Sequence, residues 1–253
     1  MGDPARLDPT VAQDSERDWR LWLFGLAHAG RTQLAEFGVL LVLGFVFGLL
    51  ALYAFSELSS EVMEQETQAL DLAVLEWLHQ YRSPALTLLM RGFSAMGSEV
   101  VTVALLVGLV WLGRQRRWGA AVSLLLVTAG AQLLNNVLKD LFQRARPSPV
   151  VALFAAQTFS FPSGHAMVSA AFYCFVAYLG WRLLRGWWRL AWVSGLALLV
   201  LLIGISRMYL GVHYLTDVVA GYIAGFIWTD TIIIGGHLLT RRIQRARPAT
   251  DTR

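Results

Sequence analysis

The chain has 253 residues, of which 56% are hydrophobic and 15% charged, and its formal net charge is +4. A typical soluble domain is about 45–50% apolar and about 25% charged, so this composition argues against a water-soluble globule and against a disordered chain. The single cysteine, Cys174, excludes an internal disulfide and a cysteine-based metal cluster, and its apolar surroundings predict an inert buried thiol. The composition therefore predicts an integral membrane protein.

Six stretches are apolar and long enough to cross a hydrocarbon core, which takes about 20 helical residues. In chain order they are Leu34–Phe55, Gly97–Leu112, Trp118–Leu138, Ala166–Leu184, Leu190–Ile205 and Val212–Thr240. The sequence thus predicts an all-α, polytopic protein with six transmembrane helices. Asp230, within the last span, is interpreted as a structural residue or one near the cytoplasmic end.

The segments outside the spans are more polar. Residues 1–33 are predicted to form a cytoplasmic tail, whose apolar run around Trp22 either forms an interfacial helix or simply precedes the first span. This tail mixes both charges and lacks a cleavage site, so it is not interpreted as a signal peptide. Residues 34–240 are predicted to form one membrane domain, and residues 241–253 a basic cytoplasmic tail.

An acidic segment, Ser56–Ser83, separates the first two spans. Its apolar residues recur at helical spacing, which predicts an amphipathic helix on the outer surface of the membrane. These residues are Leu70, Val74, Trp77 and Leu78.

Arginine placement predicts the orientation of the spans. One set of flanks carries 15 of the 21 basic residues, so by the positive-inside rule that side and both termini are cytoplasmic. The basic residues on the outer side are Arg82, Arg91, Lys139, Arg144, Arg146 and Arg207. Arg144 is interpreted as a solvated rim residue. The tryptophans near the span ends fit an interfacial aromatic belt: Trp111, Trp118, Trp181, Trp187, Trp188 and Trp192.

Three outer cations are predicted to meet. Lys139 and Arg146 follow the third span and Arg207 ends the fifth, so span parity puts them at the same face. Cations gathered in one place repel one another unless an anion lies between them, and arginine suits the oxygens of phosphate. Ser163 and Gly164 open the fourth span at this face, where free helix N–H groups also favour phosphate.

Two histidines and an aspartate reach the same face. His213 and Asp217 are four residues apart on one helix, so the carboxylate can accept the Nδ1 proton and leave Nε2 with a free lone pair. His165 is then available as a general acid. The remaining histidines are interpreted as packing or interfacial residues: His28, His79 and His237.

These residues form three motifs that resemble the signatures of the type-2 phosphatidic acid phosphatase superfamily. The motifs are Lys139-x6-Arg146-Pro147, Pro162-Ser163-Gly164-His165 and Ser206-Arg207-x5-His213-x3-Asp217, and they match in residue type, order and spacing. By its six-span layout the resemblance extends over residues 34–240.

The resemblance implies a role for each motif residue. His213, oriented by Asp217, would attack phosphorus to give a phosphohistidine, and His165 would protonate the leaving oxygen. The phosphoryl oxygens would be held by Lys139, Arg146, Ser163, Gly164 and Arg207. The family needs no metal or other cofactor, because its cations neutralise charge in place of Mg²⁺.

The resemblance also implies a membrane lipid as substrate. The bacterial branch of the family acts on undecaprenyl diphosphate, phosphatidylglycerophosphate and phosphatidic acid. The expected location is the bacterial cytoplasmic (inner) membrane, with the active site facing the periplasm or exterior. The linker Val150–Phe161 is either an apolar lip over the site or a plain outer loop. No nucleic-acid partner is expected, and the sequence leaves the oligomeric state open.

Other functions stay open at this point. A phosphohistidine can pass its phosphate to a lipid or sugar hydroxyl, which would make the protein a phosphotransferase. A lipid or anion transporter, or a scaffold, fits the membrane architecture but does not need the pairing of His213 with Asp217. The soluble vanadate-dependent haloperoxidases share the anion site, but six spans argue against them.

Overall fold

A computed structural model of the chain describes residues 31–147, 153 and 158–246. Most of the predicted N-terminal tail, with its apolar run, lies outside these residues, as does the basic tail after Ala246. Every regular element in the described residues is an α-helix, which confirms the predicted class. The eight helices of this part are α1 Arg31–Met63, α2 Gln68–Gln80, α3 Pro84–Met96, α4 Glu99–Arg114, α5 Trp118–Phe142, α6 Gly164–Leu183, α7 Trp187–Tyr209 and α8 Leu215–Ala246.

Six apolar stretches of the described helices are long enough to cross a membrane, which confirms the predicted number. They are Val42–Met63, Pro84–Arg114, Trp118–Phe142, Gly164–Leu183, Trp187–Tyr209 and Leu215–Leu239. The second span begins at Pro84 rather than at the predicted Gly97, and it contains both α3 and α4. Ser83 caps α3 by accepting a hydrogen bond from the Leu86 N–H at 3.2 Å, and Pro84 occupies the first turn.

The break between α3 and α4 falls at Gly97, where the second span passes close to α7. A Cβ on Gly97 would lie only 2.6 Å from Cγ2 of Ile203 in α7. Close packing of the two helices therefore requires glycine at this position. Ser94, one turn earlier, reaches Arg207 near the end of α7.

The predicted outer helix is α2, but its start and its buried face differ from the prediction. α1 continues to Met63 rather than ending at Phe55, so the predicted outer segment begins inside a helix. Asp71 and Leu75 are the buried residues of α2. Of the predicted apolar face, Val74 and Leu78 pack partly buried against the same cluster as Leu75, whereas Leu70 and Trp77 are each 56% exposed. α2 packs on α7 and α8 by a face that carries Asp71, because that carboxylate finds hydrogen-bond donors there.

α6 lies at the centre of the bundle and packs against α5, α7 and α8. Glycines let α8 approach it closely: a Cβ on Gly221 would lie 2.7 Å from the Ser163 carbonyl oxygen, and one on Gly225 would lie 2.3 Å from that of Met167. Small residues permit such close helix contacts in membranes. The Ser163 N–H also donates to the Asp217 carbonyl at 2.9 Å, which ties the start of α6 to the start of α8.

Features at the other end and on the flank of the bundle complete the fold. The six tryptophans of the predicted belt are all at least 40% exposed and lie at the α4–α5 and α6–α7 ends.

Cys174 is half-buried rather than buried, and it lines an apolar cavity of about 630 Å³ between α1, α6, α7 and α8. Of the predicted lip, Phe154 lies outside the described residues. Phe161 is buried against Phe142, with 5.0 Å between the ring centroids.

Candidate active site

The polar residues identified in the sequence meet at one end of the bundle. α5 and α7 end there, shortly after Lys139 and Arg207, and α6 and α8 begin there, at Gly164 and Leu215. The same end carries α2. All three sequence motifs therefore reach one place, as the parity of the spans predicts.

Lys139 and Arg146 are held by backbone carbonyls near the start of α6 and α8. The Lys139 ammonium donates to the carbonyl of Phe159. Arg146 donates from Nε to the Thr158 carbonyl at 2.6 Å, and from a terminal nitrogen to the Val212 carbonyl at 2.7 Å. Burial lowers the pKa of Arg146, because its charge is less well solvated than in water. Carbonyls carry no formal charge, so these contacts orient both cations without neutralising them.

Arg207 reaches the site from α7 and is only partly paired. One terminal nitrogen donates to the hydroxyl of Ser94, but the buried Nε has no hydrogen-bond partner among the described residues. A buried donor without a partner costs about 1–3 kcal/mol, and more for a charged group. A phosphate oxygen would satisfy it with a charge-assisted hydrogen bond.

His213 lies between an arginine and a carboxylate. Its Nε2 is 3.2 Å from a terminal nitrogen of Arg146, and its Nδ1 is 3.4 Å from Oδ2 of Asp217. Because arginine can only donate, Nε2 must be the acceptor, and the proton of the neutral ring must sit on Nδ1, facing Asp217. His213 therefore presents a lone pair at Nε2, on the side of the cations.

The surroundings of His213 keep its ring neutral. The residue is 2% exposed, and burial is the main cause that lowers its pKa to about 4. The hydrogen bond and charge of Asp217 act in the opposite direction, whereas Arg146 and Arg207 lower the pKa further. Neutral imidazole is the form that a nucleophilic histidine requires.

Asp217 is buried, and its two oxygens face different neighbours. Oδ2 accepts from the Tyr214 N–H at 2.9 Å and from the Ser160 hydroxyl, in addition to facing His213. Oδ1 accepts from a terminal nitrogen of Arg144 at 2.7 Å. The Ser160 hydroxyl also lies 3.5 Å from Nδ1 of His213. The carboxylate that faces the imidazole is thus fixed from several directions.

The start of α6 leaves no room for a side chain. Ser163 caps the helix, with its hydroxyl 3.5 Å from the Ala166 N–H, and Gly164 follows. A Cβ on Gly164 would lie 2.9 Å from Oδ1 of Asn135. The Asn135 amide in turn donates to the Pro162 carbonyl at 3.2 Å. A helix start with free backbone N–H groups favours an anion such as phosphate.

His165 lies on the first turn of α6, beside the break between α3 and α4. The electrostatic interactions of its ring are with Arg207, His213, Arg146 and Lys139. No hydrogen bond to the ring occurs among the residues that the structure describes. His165 is therefore placed with the cations and available to a ligand.

Two charged residues at this end of the bundle, Arg144 and Asp71, were not recognised from the sequence as part of the site. Arg144, interpreted there as a solvated rim residue, is half-buried, with a side chain that is 10% exposed, and it forms ion pairs of 2.7 Å with both Asp71 and Asp217. The interpretation was wrong because the sequence did not reveal that two carboxylates from different helices flank this position. Burial alone would lower the pKa of Arg144, but the two carboxylates outweigh it and leave the pKa raised.

Three uncharged residues were missed as well. Ser160 lies two residues before the second motif and Asn135 lies one helical turn before Lys139, so both positions offered a signal. Ser94 offered none, because α3 was not predicted. In the part of the chain with described coordinates, no group of three or more metal-binding side chains occurs. The hydrogen bonds that the structure describes for the other two histidines lie elsewhere: His79 is bonded to Arg82, and His237 to the Ile233 carbonyl and the Tyr178 hydroxyl.

Comparison with known proteins gives both a family and relatives. A family model described as "PAP2 superfamily" matches residues 120–234, which contain all three motifs. Phosphatidylglycerophosphatase B of Bacillus subtilis (strain 168) is 30% identical over 175 residues, which cover 67% of this chain and 85% of that protein. Sphingosine-1-phosphate phosphatase 1 of Mus musculus is 34% identical over 108 residues, which cover 40% of this chain and only 23% of that protein.

Solved structures share the fold. The crystal structure of a transmembrane PAP2 type phosphatidylglycerolphosphate phosphatase from Bacillus subtilis matches with a TM-score of 0.64 and 27% identity, over 81% of this chain and 98% of that one. LpxE of Aquifex aeolicus matches with a TM-score of 0.50 and 24% identity, over 68% and 95% of the two chains, and shows a likeness of fold alone. The six-span bundle is thus the architecture of a membrane phosphatase.

Proposed function

The chain belongs to the PAP2 superfamily of membrane lipid phosphatases, and on that basis we propose that it releases phosphate from a lipid phosphate or diphosphate through a phosphohistidine on His213. One observation carries the mechanism. Nε2 of His213 accepts from Arg146 while Nδ1 faces Asp217, so the neutral ring directs its lone pair toward the cations.

In the first step, Nε2 of His213 attacks phosphorus and the bond to the leaving oxygen breaks. The His213 ring becomes positively charged, and Asp217 stabilises it through Nδ1–H. His165 gives its proton to the leaving oxygen, so the lipid alcohol or lipid monophosphate departs with that oxygen protonated. The phosphoryl group remains bonded to His213.

In the second step, water attacks the same phosphorus and the bond to His213 breaks. His165, now neutral, takes a proton from that water. Inorganic phosphate leaves, and both histidines return to their starting states. No step needs a proton on Asp217, whose two oxygens stay engaged with neighbouring donors.

The cations stabilise the charge that spreads over the equatorial oxygens in both transition states. Arg207 supports this role best, because its buried Nε lacks a partner until an anion binds. The remaining phosphate ligands are Lys139, Arg146 and, at the start of α6, Ser163 and Gly164. In the substrate-bound enzyme, phosphate oxygens would replace the Phe159 carbonyl at Lys139 and the His213 ring at Arg146.

Among lipid substrates we favour phosphatidylglycerophosphate, the substrate in the name of the Bacillus relative. Undecaprenyl diphosphate and phosphatidic acid share the phosphate group that the site would bind, and they are the alternatives. We place the protein in the bacterial inner membrane, with the polar end of the bundle facing the exterior.

Phosphate release in detergent, with excess chelator and no added metal, tests the function. The three lipids are compared as substrates, with His213→Ala as the inactive variant and His79→Ala, an exposed histidine of the same end, as the matched control. We expect release from at least one lipid by wild type and by the control, and loss of more than about 10³-fold in His213→Ala. Equal release by His213→Ala would overturn the mechanism.

A phosphotransferase is the second candidate, because the phosphohistidine can equally meet a lipid hydroxyl in place of water. Product analysis with and without an acceptor lipid separates the two: transfer to the acceptor at the expense of free phosphate indicates the transferase. A transporter requires no covalent intermediate, so a labelled phosphoenzyme in wild type that is absent from His213→Ala excludes it.

Orientation is tested by labelling single cysteines in a Cys174→Ser background. Glu64→Cys lies in the exposed turn between α1 and α2, and Gln115→Cys lies in the exposed turn at the opposite end. In intact cells a membrane-impermeant maleimide should label Glu64→Cys and spare Gln115→Cys. The reverse pattern would place the site in the cytoplasm.

A further inference from the structure

We propose that Asp71 and Arg144 are positioning residues, which tie the outer helix α2 to Asp217 and thereby hold His213 in its attacking orientation. The inference rests on the proposed function, since it concerns the nucleophile named there. Neither residue touches the phosphate site itself in this arrangement; each acts through Asp217.

Arg144 joins two carboxylates that come from distant parts of the chain. One terminal nitrogen donates to Oδ1 of Asp217 and the other to Oδ2 of Asp71, both at 2.7 Å. The planar fork of a guanidinium suits such bridging and fixes its direction. Because Oδ1 of Asp217 is held by Arg144, only Oδ2 is left to face His213.

Asp71 also holds the first turn of α8, on which Asp217 lies. Its Oδ1 accepts from the Thr216 N–H at 3.0 Å, and its Oδ2 accepts from the Thr216 hydroxyl at 2.6 Å. A carboxylate at this place satisfies a free N–H of the helix start and interacts favourably with the helix dipole. Asp71 therefore sets both the position of Arg144 and the start of α8.

The ring of Tyr214, the residue after His213, is also in contact with Arg144. The Arg144 guanidinium lies over the Tyr214 ring, 4.3 Å from its centroid. The Tyr214 N–H in turn donates to Oδ2 of Asp217. Arg144 thus contacts Asp217 directly and also packs on the residue that connects His213 to α8.

Without Arg144, two buried carboxylates would lie close together with no cation between them. Repulsion would move Asp217, and its alignment with Nδ1 of His213 would be lost. Substrate binding would suffer less, since the hydrogen bonds that the structure describes for Asp71 go to Arg144 and Thr216 and not to the cations proposed to bind phosphate. We therefore expect the turnover number to fall while the Michaelis constant stays nearly unchanged.

The test compares Asp71→Asn, Arg144→Gln, their double variant and Arg144→Lys with wild type in the phosphate-release assay. Each of the first two should lower kcat about 10- to 100-fold, as loss of an outer partner of a catalytic group does elsewhere, with KM within about threefold. Because both act through Asp217, the double variant should be no slower than the slower single one. Arg144→Lys keeps the charge and should regain part of the loss.

Glu76→Gln is the matched control, because it removes one exposed carboxylate from the same helix. Thr216→Val removes the hydroxyl that donates to Asp71 but keeps the backbone N–H bond, so it serves as the test if the charge variants fail to fold. It should lower kcat about threefold without changing KM. Melting temperature in detergent is measured for every variant. A raised KM with unchanged kcat, multiplying effects in the double variant, or unchanged kcat in all of them would overturn the positioning role.

This outcome is separable from failure of the proposed function. If wild type and Glu76→Gln release no phosphate, the proposed function is contradicted. If both release it normally and Arg144→Gln does too, the positioning role alone is contradicted.

Discussion

The two groups of charged side chains at the polar end of the bundle differ in how fully they are paired. In the paired group, Asp71, Arg144 and Asp217, all four carboxylate oxygens accept hydrogen bonds from described residues. The cationic group, Lys139, Arg146 and Arg207, contacts carbonyls, two hydroxyls and the His213 ring instead of carboxylates. Within it, the buried Nε of Arg207 has no partner in the described part of the chain.

This difference distinguishes the residues that hold the site in place from the residues that would bind the phosphate. A buried ion pair with its hydrogen bonds satisfied is tolerated by the fold, whereas buried like charges without a counter-ion cost free energy. The paired group can therefore form in the free enzyme and act as a support. The cationic group gains its missing interactions only when an anion binds, which is what a phosphate site requires.

Asp217→Asn should have the largest effect, because Asp217 belongs to the paired group and also faces the nucleophile. The asparagine amide can donate to Nδ1 of His213, which would move the ring proton to Nε2 and remove the attacking lone pair. A comparable change in the serine protease triad lowers kcat about 10⁴-fold, and we expect a loss of about 10³- to 10⁴-fold. Arg144 would also lose a carboxylate, so the melting temperature should fall.

The matched measurement for this prediction is the yield of phosphoenzyme after a brief exposure to labelled substrate. Asp217→Asn should form almost none, since attack by His213 is the step that fails. A normal yield of phosphoenzyme with slow release of phosphate would instead place the role of Asp217 in the second step.

Arg207→Ala should rank second and should separate the two groups by stability. Loss of one donor to a developing negative charge costs about 10²- to 10³-fold in kcat. The melting temperature should stay equal or rise, because the change removes a buried charge that lacks a full set of partners. Arg114→Ala, an exposed arginine at the opposite end, is the control and should leave both quantities unchanged. A large loss of stability in Arg207→Ala would show that this arginine helps to hold the fold together, as the paired group does.

The sequence was sufficient to locate the cationic group but only Asp217 of the paired group, for a physical reason. Lys139, Arg207 and His213 lie near span ends, and spans that alternate in direction bring those ends together whatever the rotation of each helix. The pairing of Arg144 with Asp71 depends on how α2 is rotated about its axis. Apolar spacing predicted a face with Leu70, Val74, Trp77 and Leu78. With Asp71 hydrogen-bonded to α8, only Val74 and Leu78 of these four pack against the bundle.

The missed helix α3 has a related cause. It is short, 13 residues, and carries polar residues such as Arg91 and Ser94 within its apolar pattern. Hydropathy over a window therefore began the second span only at Gly97. The number of spans was still predicted correctly, because α3 and α4 together cross the membrane once.

The pH dependence of kcat/KM should show a smaller effect. It reports on His213, which lies between Asp217 of the paired group and Arg146 of the cationic group. His213 attacks only when neutral, and its pKa of about 4 in the folded free enzyme lies below the ordinary 6.5. The neutral, attacking form of His213 is therefore retained as the pH falls through 6.5 and lost only as the pH falls through 4. The proton that His165 must supply is lost as the pH rises, so His165 shapes the alkaline side of the profile and produces no acid limb. On the acid side we expect a loss of about tenfold between about pH 5 and pH 3, and none near pH 6.5.

Two corrections make this profile interpretable. The phosphate of the substrate titrates with a pKa of about 6, and its contribution is measured separately and subtracted. Brief exposure to acid followed by assay at neutral pH checks that the enzyme stays folded. An acid limb near pH 6.5 after these corrections would mean that burial and the neighbouring arginines do not govern His213.

Asp230 should show the smallest effect, although it too is a carboxylate in α8. It lies 13 residues after Asp217, about 20 Å along the helix, on the side of α8 that faces α1. A Cβ on Gly44 or Gly48 would approach its oxygens to 3.5 or 3.3 Å, so two glycines of α1 make room for it. Asp230→Asn keeps that shape and should change kcat and KM by less than about twofold, measured beside Asp217→Asn. A loss approaching that of Asp217→Asn would mean that a charge midway along α8 takes part in turnover. Pairing at the polar end would then not by itself distinguish the supporting residues from the catalytic ones.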